Sequence, residues 1–143
     1  MAFQNPSPGE IKALLQRIKT VAVVGLSPDP DRPSYSVASY LQENGYRIVP
    51  IRPGGGEILG ERVYENLSRV PFAVDIADHF RRSGLVSAHI DEAIRLRIPA
   101  VWMQEGVIDE AAALRARAAG LTVVMDRCML KEHRKAGLGP TPP

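Results

Sequence analysis

Cysteine is nearly missing from this chain, with Cys128 the one thiol in 143 residues, which excludes an internal disulfide and any metal site built from a cysteine cluster. Long apolar runs are missing as well. No stretch approaches the ~20 apolar residues of a membrane span, and the opening MAFQNPSPGEIK has no apolar signal-peptide core, so a soluble cytoplasmic protein without a membrane partner is expected. Aromatic residues are scarce at 6%, and the formal net charge is only +2, with 14 Arg and 4 Lys scattered along the chain. That balance argues against extended nucleic-acid contact. The excess of Arg over Lys suits bidentate phosphate binding, although coding bias or heat adaptation gives the same count.

Apolar residues make up 45% of the chain and charged residues 24%, so one packed domain is expected, burying roughly two thirds of the unfolded surface. Ser7, Pro8 and Glu10 supply an N-cap, a first-turn proline and a capping-box carboxylate ahead of Ile11, Leu14, Leu15 and Ile18. They predict a short helix before the first strand. Apolar, β-branched runs recur at Val21 to Val24, Tyr46 to Ile51, Phe72 to Ala77, Ala100 to Met103 and Leu121 to Met125. Helical spacing separates most of them, at Ser34 to Asn44, Ser87 to Leu96 and Asp109 to Ala119. The pattern predicts an α/β, single-domain, Rossmann-like three-layer sandwich, with a five-stranded parallel sheet of order 3-2-1-4-5 flanked by helices and a crevice where strands 1 and 4 meet. Arg52 to Arg69, beginning with Pro53 and three glycines, is read as mostly irregular, and Met129 to Lys135 as a last short helix. The domain then covers residues 1–136, and residues 137–143 are a disordered tail.

Strand 1 runs into a turn, GLSPDPDRPS, that opens the next helix. Such a turn aims backbone N–H groups and a helix N-terminus at whatever lies above the sheet, which suits a diphosphate. Gly25 allows close approach of a ligand to the backbone, but Leu26, Ser27 and Pro28 stand where G-x-G-x-x-G requires further glycines. Strand 2 ends in Pro50, Ile51, Arg52, Pro53, where NAD binding calls for a carboxylate. Arg52 invites a phosphate instead. A nucleotide with a diphosphate and a further ribose phosphate fits, and both NADP and coenzyme A answer that description.

With those residues identified, the strings VAVVGLSPDPDRPSYSVASYLQENGYRIVPIRP, EILGERVYENL, DIADHFRRS, VWMQEGV and AAGLTVVMDRC follow one another in an order that resembles the small single-domain CoA-binding proteins. Their Rossmann-like fold is shared with the N-terminal domain of the succinyl-CoA synthetase α subunit, and the resemblance runs from Val21 to Lys135. It implies a coenzyme A or acyl-CoA ligand, with Gly25, Leu26 and Ser27 along the diphosphate and Arg32, Pro33 and Ser34 framing the helix start. Arg52, Pro53 and Gly54 would lie near the adenosine end, Arg52 against the ribose phosphate. Ile76, Ala77, Phe80 and Arg81 would flank adenine or pantetheine, and Met103, Gln104, Glu105 and Gly106 would border the pantetheine arm. Phe80 and Trp102 also have simple packing roles open to them.

The acyl-CoA ligases with this fold need a phosphorylatable histidine and a nucleotide-grasping domain beyond it, so the expectation is a carrier, sensor or regulatory protein without its own catalysis; an NADP-dependent oxidoreductase or NAD(P)-type sensor on the same fold is the alternative. His79 is read on a loop after strand 3 and His89 at a helix beginning, both solvated, and with His133 they show no metal spacing. Cys128, after strand 5 and beside Arg127, is a possible redox residue on the face of the ligand loops.

Overall fold

The computed structural model describes residues 2–140; residues 141–143 of the expected tail lie outside the described residues. Seven strands and five α-helices follow in the order α1 Pro8–Arg17, β1 Thr20–Val24, α2 Pro33–Glu43, β2 Arg47–Ile51, β3 Glu57–Ile58, β4 Glu61–Arg62, β5 Ile76–His79, α3 Ser83–Arg95, β6 Ala100–Met103, α4 Glu110–Ala118, β7 Thr122–Val124 and α5 Met129–Lys135. A 3-10 turn at Leu67–Arg69 precedes β5. The capping box forms as its residues dictate, with Ser7 Oγ accepting from the Glu10 N–H and Glu10 Oε1 accepting from the Ser7 N–H. No helix among the described residues is long and apolar enough to cross a membrane.

The main sheet is parallel throughout and has the order β2-β1-β5-β6-β7, while β3 and β4 form a separate antiparallel hairpin. Alternation along each strand divides the core into two layers. Ala22, Val24, Val49, Ile51, Ala77, Val101 and Met103 pack on the side of α3 and α4, whereas Val21, Val23, Ile48, Ile76 and Trp102 pack on the side of α1, α2 and α5. All but the ends of these strands are buried, as expected of a parallel sheet covered on both faces.

Counted over the five strands of this sheet, the order is 2-1-3-4-5, not the expected 3-2-1-4-5. Pro50 explains the difference. Placing strand 3 outside strand 2 would put Pro50 in an interior strand, where its missing N–H breaks a ladder. Here β2 is the edge strand, and its outer side meets an isolated pairing with Tyr64, whose N–H donates to Pro50 O and whose carbonyl accepts from the Arg52 N–H. The third strand instead inserts between β1 and β6, with His79 level with Val24 on one side and Met103 on the other. Asp75 guides it there: one carboxylate oxygen accepts from the N–H groups of Lys19 and Thr20 at 2.8 and 2.9 Å, and the Asp75 N–H donates to Thr20 O. At the opposite side of the sheet Asn5 brackets Met125, donating to its carbonyl and accepting from its N–H at 2.8 Å each.

The third strand also starts later than Phe72. That ring lies 3.8 Å under the Arg47 guanidinium and edge-on to Tyr64, so it closes the lower rim while pairing begins at Ile76. Asp78 and His79 are therefore strand residues with no exposed surface, a correction of the loop and the solvated histidine expected there. Burial pushes the Asp78 carboxyl up to about 8, against the hydrogen bond from Gln104 that favours its ionised form. Burial likewise pushes His79 down to about 4, although its Nδ1 lies 3.1 Å from Trp102 O.

Asp75→Ala removes an acceptor from two N–H groups at the start of β1 and should cost about 1–3 kcal/mol in denaturant unfolding; a loss below a few tenths would show that the clamp is dispensable. The buried pair gives a pH test. The folded state holds a proton on Asp78 that the unfolded chain has released above pH ~4, so this contribution to stability fades as pH rises through about 8. His79 opposes it only below its ordinary value near 6.5. Between pH 6.5 and 8.5 the thermal midpoint should thus fall more steeply for the wild type than for Asp78→Asn, and equal slopes would refute a neutral Asp78.

Candidate functional site

The direction in which successive strands are laid down reverses between β1 and β5, although the two strands run parallel. The β1–α2–β2 unit winds one way with α2 on one face, and β5–α3–β6–α4–β7 winds the other way with α3 and α4 on the opposite face. The turns that follow β1 and β5 part company, leaving a crevice at the carboxyl ends of the strands. This junction lies at strand 1 and strand 3 of the sheet and corrects the junction of strands 1 and 4 expected from sequence. A cleft of about 610 Å³ occupies it, within the range of small-molecule sites.

The floor of the cleft is the turn after β1. Gly25, at φ +86°, donates its N–H to Ile51 O; a Cβ there would lie 3.1 Å from Arg81 Cδ and 3.5 Å from the Phe80 carbonyl carbon. The glycine thus makes room for the Arg81 stem. Ser27 donates its N–H to Ser34 Oγ, its own Oγ accepts from the Asp29 N–H, and Asp29 in turn accepts from Asp31. These short bonds hold the turn without a glycine-rich sequence. α2 begins with Pro33, and Arg32 at its N-cap supplies no side-chain acceptor, so the positive end of the helix remains for whatever occupies the cleft.

Arg52 enters from the end of β2, its guanidinium 3.4 Å from Leu26 O, and Phe80 and Arg81 enter from the end of β5. Gln104 comes from the end of β6, its amide Nε2 donating to both Asp78 carboxylate oxygens at 2.9 and 3.0 Å. Glu105, also in the cleft, is paired with Lys131 of α5 at 2.9 Å. Cys128 caps the start of α5 and is half-buried in the same wall. Three arginines against one carboxylate that is already paired make the cleft cationic.

Thirteen of the residues singled out in the sequence meet here: Gly25, Leu26, Ser27, Arg32, Pro33, Ser34, Arg52, Pro53, Phe80, Arg81, Gln104, Glu105 and Cys128. Ile76, Ala77 and Met103 do not; they have no exposed surface and belong to the core layers. Gly54 and Gly106 also lie outside the lining. Gly106 instead donates to Asp126, a residue at φ +59° whose carboxylate fixes that loop. Val37 lines the cleft without having been foreseen, and Val107 does so as part of the loop after β6 expected at the site. Val37 stands one turn beyond Ser34 on α2, a spacing that marks it as facing the same way. Trp102 is core, and its Nε1 donates to Arg127 O at 2.8 Å, which holds the loop leading to Cys128.

A second, smaller cavity of about 90 Å³ flanks the cleft and shares Gly25, Arg52, Pro53 and Arg81 with it. His89 and Glu65 join its wall. His89 lies inside α3, half-buried, rather than solvated at a helix start as expected. Burial lowers its pKa first and the Arg81 cation lowers it further, with Glu92 acting the other way.

Comparison with known proteins agrees with this geometry. Protein YneT of Bacillus subtilis, itself uncharacterized, is 40% identical over 131 residues, which span 92% of this chain and 97% of YneT. The solved structure of cell-free ID.343 from Thermus thermophilus is 37% identical with a TM-score of 0.87, covering 92% of this chain and 99% of that one. The apo dinucleotide-forming acetyl-coenzyme A synthetase 1 of Ca. Korarchaeum cryptofilum shares the fold at 23% identity and a TM-score of 0.70; 92% of this chain matches 31% of that enzyme. Residues 19–134 match the family described as the CoA binding domain, and they take in every strand of the main sheet and the whole cleft. The chain belongs to the CoA-binding domain family.

Proposed function

We propose that this protein binds coenzyme A or an acyl-CoA in the cleft at the carboxyl ends of the strands and acts as a carrier, sensor or regulatory protein. The observation that carries the reading is the order of chemistry along the cleft. Arg52 and Arg81 stand at the β2 and β5 side, the uncapped N-terminus of α2 at the centre, and Val107, Gln104 and Cys128 at the β6 and β7 side. A ligand with phosphates toward one end and a thin, amide-bearing arm ending in a thiol matches that sequence of surfaces. The cation pair serves the ribose phosphate, the helix end serves the diphosphate, and the apolar wall with the Gln104 amide serves the arm. Family membership favours coenzyme A over NADP, the other nucleotide with a diphosphate and a ribose phosphate.

Cys128 gives the bound thiol a partner. In the presence of CoA disulfide, the Cys128 thiolate attacks one sulfur to form a protein–CoA disulfide and releases one CoA thiolate, which takes up a proton. This exchange makes occupancy of the cleft depend on the thiol redox state.

Native mass spectrometry of the freshly purified protein, with denaturing release of whatever is bound, is the direct test. A released CoA or acyl-CoA is expected; released NADP would transfer the site to the alternative nucleotide. Arg52→Glu should lower CoA affinity about tenfold or more relative to dephospho-CoA, the scale of one charge-assisted contact, and equal losses for both would refute the phosphate role of Arg52. Treatment with CoA disulfide should add one CoA to the wild type, reversibly with dithiothreitol, and none to Cys128→Ser. An adduct of the same yield on the variant would dismiss Cys128.

A further inference from the structure

The 90 Å³ cavity beside the cleft shares Gly25, Arg52, Pro53 and Arg81 with it and adds Val24, Ile51, Glu65 and His89 to its wall. It has room for about three waters at ~30 Å³ each, the scale of the three terminal oxygens of a phosphate monoester. Its wall presents Arg52, Arg81 and His89, with Glu65 at its exposed rim. Arg81, which lines both the cavity and the cleft, has a buried Nε that donates to no group among the described residues. A buried guanidinium N–H without an acceptor is costly, and an anion in this cavity would supply one.

We propose that this cavity is the seat of a phosphate monoester on the ligand's ribose, held by Arg52 and Arg81, and that His89 takes up a proton as the phosphate arrives. The inference rests on the CoA reading for the identity of the ligand, but its geometry belongs to the cavity alone. The groups facing His89 are Arg81 after β5, Arg52 after β2, Glu65 ahead of the 3-10 turn, Glu92 one turn along α3, and the buried His79 of β5. Glu92 is occupied elsewhere, accepting from the Leu67 N–H and lying 3.8 Å from Arg95. With the cavity empty, burial first and the Arg81 cation second lower the His89 pKa, which favours the neutral imidazole. A dianion reverses the sign of the local potential, so imidazolium becomes the favoured form, adds a third donor to the phosphate and contributes an N–H that neutral histidine can offer from only one nitrogen. The proton comes from solvent, which makes the preference for the phosphorylated ribose rise as pH falls.

The test is a pH titration of the His89 imidazole by NMR, assigned with His89→Gln, with no ligand and with CoA, dephospho-CoA or adenosine 3′,5′-bisphosphate. CoA and the bisphosphate should raise the His89 midpoint by about one pH unit or more, and dephospho-CoA should not. The ratio of CoA to dephospho-CoA affinity in the wild type, taken relative to the same ratio in His89→Gln so that the phosphate's own titration cancels, should grow about threefold between pH 8 and 6.5, the span expected when one group shifts by about one unit on binding. If CoA binds without moving the His89 midpoint, or dephospho-CoA moves it equally, the seat is refuted while the CoA reading stands. If the bisphosphate moves it but neither CoA form binds, the seat stands and the CoA reading falls. Failure of all three ligands to bind would overturn both.

Discussion

The pairing of β5 directly against β1 is the constraint on which the rest of the structure depends. It is set at the base by one carboxylate, Asp75, bound to two consecutive N–H groups at the start of β1. From that register the two halves of the sheet wind away in opposite directions, and the turns after β1 and β5 cannot cover each other. The cleft is therefore a product of topology before it is a product of any side chain. Gly25 and Arg81 then share the gap at its floor, the one lacking a Cβ so that the stem of the other can cross.

Much of this arrangement was legible in the chain. The capping box at Ser7 to Glu10, the helix after the first turn and the five apolar runs correspond to observed elements because each is a local signal, readable within one turn of helix or one strand. The strand order was not local, and the available clue was a single residue. Pro50 marks β2 as an edge, which rules out a strand on its far side, but that exclusion carries weight only when weighed against the assumed order. Asp78 and His79 were misplaced because polar residues at the end of an apolar run read as loop. Here they are strand residues whose charge has been removed by burial rather than by composition.

The cleft residues divide along the same line. Those on turns directly after strands, such as Ser27, Arg52, Phe80 and Gln104, are positioned by the strand ends and follow from the element pattern. Ile76, Ala77 and Met103 are near the site in sequence but point into the core layers, because alternation in a parallel sheet buries both faces. Val37 and His89 reach the cleft or its side cavity from helices, a placement that the packing of α2 and α3 decides, while Val107 comes from the same turn after β6 as Gln104.

The two sides of the sheet bear on how copies of this protein can meet. The outward backbone of β2 is taken up by Tyr64, and Pro50 has no N–H to offer; next to β7, Asn5 imitates a neighbouring strand by engaging Met125 in both directions. Part of each border of the main sheet is thus engaged by the chain's own residues, which disfavours growth by strand addition at those points. The cleft sits above the strand ends rather than along these borders, so covering the edges leaves it open.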